Sequence, residues 1–447
     1  MALSDRQRMQ VAALLERLPE PMLSEMEGAL LKAAADPLMD AIRRLVESEF
    51  TDRRLRKTVF APIQPLFTEG PGGLLDIGLP PVALERVWRG LKANAPGDIE
   101  RALEAAEHGV QDQPFKVHDE LALIAAAALR EASGPDFVRA SEACEAARKG
   151  GAQMLAAALE LAPLLRRSEP QLHQWTAHGL NEERAVAVRL AYRDACAVAD
   201  DAGPLFVEIL ARHLSEPAAI LRFVSAVMHR PTQAFLASTE LAPFAEGAVR
   251  LVSETLERIA GKNPDDPGQG KALAAEVAHA TALMDLLAET IQLSRDQGLG
   301  RRIQELHGRL ARLVEGRFRD ALKALPAALP TRMARTERRT GETPVIEPPG
   351  PDPAREQRLL GHLTFVSELR SCAARAGVAA ARNELLGDLA AAHDDYVDRL
   401  IDMLRHHEID EPLVGARYLD VAAAVAGLIR DPQAADLVRR RAAAARA

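Results

Sequence analysis

Between Leu359 and Leu404 the chain carries two amphipathic stretches, LLGHLTFVSELRSCAARAG and NELLGDLAAAHDDYVDRLIDML. In the second, Leu385, Leu389, Ala392, Val397, Ile401 and Leu404 return at steps of three to five residues. That spacing draws one apolar stripe along a helix, whereas a strand would alternate every second residue. A related pair lies 79 positions earlier, TALMDLLAETIQLSRDQGLG followed by RRIQELHGRLARLVEGRFRDALKAL. Laid over each other without a gap, the two share Glu289 with Glu368 and Gly298 with Gly377. They also share the run E-L-x-G-x-L-A at Glu305, Leu306, Gly308, Leu310, Ala311 and at Glu384, Leu385, Gly387, Leu389, Ala390.

Two helices joined by a short turn bury their stripes by packing side by side and against the next pair. The rest of the chain agrees. Ala and Leu, which lose little side-chain entropy in a helix, dominate the apolar set, aromatics are only 4%, and β-branched runs bounded by turn residues are nearly absent. The expected fold is all-α: stacked antiparallel helical hairpins forming an irregular bundle or an α-solenoid-like array, with no β-sheet.

Gly298 and Gly377 fall between the paired helices, where a left-handed residue is wanted. Gly308 and Gly387 instead interrupt helices, at about 1 kcal/mol each relative to Ala. Recurrence at one position of the repeat predicts close backbone contact with a neighbouring helix there.

Breaks in the apolar period divide the chain. Residues 1–134 are expected as an N-terminal helical domain containing an ordered Pro/Gly-rich loop, 58–81, and residues 135–260 as a middle helical domain. GKNPDDPGQGK, 261–271, reads as a linker. The C-terminal helical region comprises 271–327 and 355–447, which hold the related hairpins. Between them, 328–354 is rich in Pro, Gly, Thr and charge without apolar period, and is expected as a flexible linker or loop.

The residues that carry chemistry are scattered. Glu276 and His279 share a helix face, half of a carboxylate-bridged di-iron motif, but no second E-x-x-H exists to complete it. His406, His407 and Glu408 follow Asp402 at a helix end, where histidine complements the helix dipole. His118-Asp119 and His393-Asp394-Asp395 lack the further ligands of a phosphohydrolase site. Gly268-Gln269-Gly270-Lys271 is followed by Ala272, so it is not a phosphate-binding loop. Cys144, Cys196 and Cys372 are far apart and suit reduced thiols in a cytoplasmic protein. No catalytic residue, metal ligand or cofactor is assigned.

The strongest interaction candidate is the basic cluster Arg53, Arg54, Arg56 and Lys57, assigned as partner-binding. Phe60, Ile63, Leu66 and Phe67, just beyond it, are expected to anchor in the protein's own core. The net charge of −8 argues against nucleic acid as the partner. The run Leu121–Leu129 is about half a membrane span, so integral membrane insertion is not expected. MALSDRQRMQ has no apolar signal region. The Ala and Arg usage suits a bacterial protein.

The function read from the sequence is therefore a non-enzymatic helical scaffold or adaptor that binds another protein. Two alternatives stand beside it. One is an enzyme whose site is assembled within a helical bundle, metal-dependent through His279 or through His406 and His407. The other is a peripheral membrane protein using residues 53–67.

Overall fold

A computed structural model describes residues 4–32, 36–108, 115–228, 230–294, 297–336 and 339–446. It is all-α, 77% helical, with bundle-like packing between consecutive helices and, among the described residues, a single small sheet. The chain divides into two units, residues 1–230 with 239–244, and residues 231–238 with 245–447.

The first unit contains α1 (Asp5–Leu15), α2 (Glu20–Lys32), α3 (Pro37–Phe60), α4 (Val82–Asn94), α5 (Pro96–His108) and α6 (Lys116–Arg130). It continues with α7 (Pro135–Ala147), α8 (Gly151–Trp175), α9 (Glu182–Cys196), α10 (Ala202–Arg212) and α11 (Ile220–Val227). Helices α4 and α6 pack on α7 and α8, so packing runs without interruption across residue 134. The second unit contains α12 (Gln233–Ala237), most of α13 (Ala242–Gly261), α14 (Pro267–Thr290), α15 (Gly298–Ala328), α16 (Pro353–Glu368), α17 (Ala379–Arg405), α18 (Pro412–Ile429) and α19 (Pro432–Arg446). There α16 lies against α14, α15 and α18, and α19 packs on α17 and α18.

Helix starts follow from local chemistry. Four begin at Asp-Pro: Asp36-Pro37, Asp266-Pro267, Asp352-Pro353 and Asp431-Pro432. Each Asp side chain accepts from a backbone N–H of the first turn: Leu38 at 3.4 Å, Gln269 at 3.0 Å, Ala354 at 2.9 Å and Ala434 at 2.8 Å. Proline at the first helical position has no N–H to leave unsatisfied. Ser4 and Gln7 form a reciprocal capping box on α1.

Helix ends are closed from outside. Eight arginines among the described residues, each on another helix, donate to last-turn or end carbonyls: Arg43 to Leu30, Arg53 to Leu15, Arg166 to Thr58 and Val59, Arg189 to Ala226, Arg222 to Thr176, Arg317 to Ala260 and Lys262, Arg355 to Ala327, and Arg382 to Val366. A guanidinium satisfies orphan carbonyls and opposes the negative end of the helix dipole. These arginines thus serve helix packing.

Several expectations are corrected. Two strands, β1 (Thr331–Thr336) and β2 (Arg339–Pro344), pair antiparallel, Thr331 opposite Pro344 and Thr336 opposite Arg339. The chain therefore does contain a β-sheet, inside the stretch 328–354 expected as a flexible linker or loop. A two-stranded ribbon pairs the inward-facing backbone groups of its strands through its own ladder and needs no apolar period to announce it. Within the middle helical stretch, α8 runs unbroken from Gly151 to Trp175 although it contains Pro163 and Pro170. Burial of Leu165, Ser168, Leu172 and Trp175 outweighs the hydrogen bonds lost at Pro163 and Pro170. Lastly, 261–271 is not wholly linker, because α14 starts at Pro267.

The glycines are also reassigned. Gly298 and Gly377 have φ of 55° and 74°, the left-handed geometry expected of them. Gly308 and Gly387 meet no neighbouring helix: a Cβ at Gly308 would have only Arg312 Nη1 at 3.8 Å, and one at Gly387 nothing within 4 Å. The close crossing lies elsewhere. A Cβ on Gly270 of α14 would overlap the Gly361 carbonyl oxygen of α16, and one on Gly361 would overlap Pro264 O and the Asp266 backbone.

Among the described residues one helix, α18, is long and apolar enough to cross a membrane; 61% of that span is buried within the protein, where it packs against α16, α17 and α19.

Candidate functional site: a basic groove along α3

The C-terminal half of α3 carries two adjacent stripes. Glu49, Arg53, Arg56 and Phe60 form one, and Phe50, Arg54, Lys57 and Ala61 the other. Steps of three and four place each set on one helix face. Both stripes line a groove of about 1080 Å³ whose other walls are the α1–α2 turn at Glu16–Glu20 and the α4 residues Leu84, Glu85, Trp88, Arg89 and Lys92. All of these belong to the first unit.

The elements that hold the groove open are fixed by apolar packing. Leu15, Leu23, Leu30 and Val46 form a small core that docks α1 and α2 on α3. On the other side Phe60 and Trp88 meet edge to face, ring centroids 6.0 Å apart, both nearly fully buried. Trp88 Nε1 donates to Asp52 Oδ2 at 3.0 Å, which satisfies the indole at the groove floor.

The Pro/Gly-rich loop that follows α3 is pinned as well. Ile63, Leu66 and Phe67 are buried with Phe60, as expected of core anchors. Arg212 of α10 donates to the carbonyls of Pro65, Gly72 and Ile77, and Glu208 accepts from Leu75 N–H at 3.1 Å while pairing with Arg212 at 2.7 Å. Glu208 is wholly buried. Burial raises its carboxyl above the usual range, against the opposing pull of Arg212.

The four predicted basic residues share this groove but differ in what they do. Arg53 is committed: its side chain is 17% exposed, it pairs with Glu49 at 2.6 Å, and it donates to Leu15 O and Leu18 O at 2.8 Å. It is a clamp on the end of α1. Arg54 and Lys57 are exposed and Arg56 half-buried, and none of the three side chains has a hydrogen-bond or ion-pair partner among the described residues.

The structure adds residues that the sequence reading missed. Arg17, on the α1–α2 turn, and Arg89, on α4, are exposed and likewise unpaired among the described residues. Lys92 donates to Glu16 at 2.9 Å and lies 3.5 Å from Asp52. Burial pulls its ammonium pKa down, but Glu16 and Asp52 prevail and the net shift is upward, so Lys92 stays charged and paired. No local sequence signal joins Arg17 and Arg89 to α3, because they come from separate elements. The lining holds seven basic and five acidic side chains, a positive balance within a chain of net charge −8.

The chain matches no family model, no curated protein and no solved structure.

The other candidates have local structural partners. Glu276 pairs with Lys262 and Arg258. His406 Nδ1 meets Asp402 O at 2.8 Å and closes the last turn of α17. His393 is buried with Nε2 2.8 Å from Ala422 O, and Asp394 beside it is held below the usual carboxylate range by its hydrogen bond from Arg430. Among the described residues no group of three or more His, Cys, Asp or Glu is placed to hold a metal ion.

Proposed function

We propose that the protein is a non-enzymatic helical adaptor, a bacterial cytoplasmic protein that binds another protein, and that the groove along α3 is its docking surface. The supporting observation is a recessed face on which Arg17, Arg54, Arg56, Lys57 and Arg89 have no partner among the described residues. Arg53 in the groove and seven arginines elsewhere are engaged at helix ends, so cations left unpaired together in one groove call for a partner outside the chain. Complementary charge across such a face speeds encounter and selects the partner.

The test is a photo-crosslinking residue at Gln64, which is exposed at the groove. In native cells it is expected to give one recurrent crosslinked protein. The product should disappear when Arg54, Lys57 and Arg89 are reversed to Glu in a variant that keeps its melting temperature. A product unaffected by the reversal, or no product from the groove position, would overturn the docking assignment.

A further inference from the structure

We infer that the occupant of the groove is an acidic peptide segment whose separate carboxylates pair with Arg54, Arg56, Lys57, Arg89 and Arg17. The inference rests on the docking reading above and adds the chemistry of the partner.

The placement of the free cations carries it. They come from three elements: Arg17 from the α1–α2 turn, Arg54, Arg56 and Lys57 from α3, and Arg89 from α4. Arg54 and Lys57 are one turn apart on the same face, about 5–6 Å between Cβ atoms. Five cations unpaired among the described residues, contributed by three elements of one groove, exceed what a single phosphate or a small carboxylate neutralises; they match a chain that carries several negative groups along its length.

The acids in the same lining choose among polyanions. Glu20 and Glu85 line the groove without a partner among the described residues, and Glu16, Glu49 and Asp52 are spent on Lys92 and Arg53. A nucleic acid strand bears a charge on every phosphate and would meet Glu20 and Glu85 head-on. A peptide can set carboxylates opposite the cations and neutral or basic residues opposite those two glutamates. The recess also disfavours a bilayer, whose headgroup plane cannot enter a groove walled by α1–α2 and α4. The floor is preformed, since Trp88 is fixed by Asp52 and by Phe60, which lowers the ordering cost of binding.

The experiment measures fluorescence anisotropy of a labelled decapeptide of alternating Glu and Ser on the full-length protein. The comparisons are the Gln-Ser decapeptide, an oligothymidylate of the same length, and vesicles containing phosphatidylserine in a flotation assay. The Glu peptide is expected to bind about tenfold or more tighter than the Gln peptide, with affinity falling as salt rises. The triple variant R54E/K57E/R89E should lose that binding and acquire affinity for a Lys-Ser decapeptide, an exchange that a misfolded variant could not produce. Lys271→Glu, exposed in the second unit, should leave Glu-peptide binding unchanged. Equal binding of the Gln peptide, preference for the oligonucleotide or the vesicles, or Glu-peptide binding that survives the triple reversal would overturn the inference. If the Gln64 crosslink persists while the acidic peptide fails, the docking surface stands and only the acidic occupant falls. If the crosslink is also absent, both fall.

Discussion

The loop at 61–81 in the first unit and the segment at 261–270 in the second have similar compositions and different solutions. Both are rich in Pro and Gly, and both interrupt the helical period. Each is gripped by one arginine: Arg212 gathers three carbonyls of the first, and Arg317 donates to Ala260 O, Lys262 O and Asn263 Oδ1 at the second. They differ in what is added. In the first, a wholly buried Glu208 pairs with the arginine and takes the Leu75 N–H, completing a polar clamp. In the second, Gly270 and Gly361 allow the backbones of α14 and α16 to touch. Breaker residues therefore mark where a helix stops. The neighbouring elements decide whether a buried clamp or a backbone contact completes the hold on the segment beyond it.

The clamp is the costlier of the two to lose. Arg212→Met leaves Glu208 buried without its cation and is expected to cost about 3–5 kcal/mol, read by urea denaturation. Replacing both partners by Met should recover most of that loss. A single variant within about 1 kcal/mol of wild type would show that the pair does not hold the loop.

At the backbone contact, Gly361→Ala should destabilise by about 1–3 kcal/mol through overpacking, because the new methyl faces Pro264 O and the Asp266 backbone, neither of which can rotate away. Unchanged stability would mean that α14 and α16 can separate there at no cost.

The smallest effect has the opposite sign. Gly308→Ala has open space and sits within α15, so it should stabilise by about 0.5–1 kcal/mol through helix propensity alone. Thermal unfolding of Gly308→Ala beside Gly361→Ala sets the two kinds of helical glycine against each other. Destabilisation at Gly308 would restore the close contact expected from the repeat.

The legibility of the site divides along the same line between local and distant causes. The α3 cluster could be read because Arg53, Arg54, Arg56 and Lys57 are adjacent in sequence and helical spacing brings them onto neighbouring stripes. Their division of labour could not be read: Arg53 turns to carbonyls of the α1 end 35 and 38 residues away, while Arg54 faces the open groove. Arg17 and Arg89 were invisible as members of the site, because only the packing of α1, α2 and α4 on α3 brings them to it. Glu208 gave no signal either, since a lone Glu in an apolar helix looks the same whether its partner is a distant loop or water.

What the sequence determined by itself was local: helical period, Asp-Pro starts, the left-handed geometry at Gly298 and Gly377, and the all-α class. These depend on backbone and side-chain preferences within a few residues of each position. Only the tertiary structure decided which glycine pair touches, which arginines serve as caps and which cations remain free. Those outcomes depend on carbonyls, carboxylates and open space supplied by residues far away in the chain.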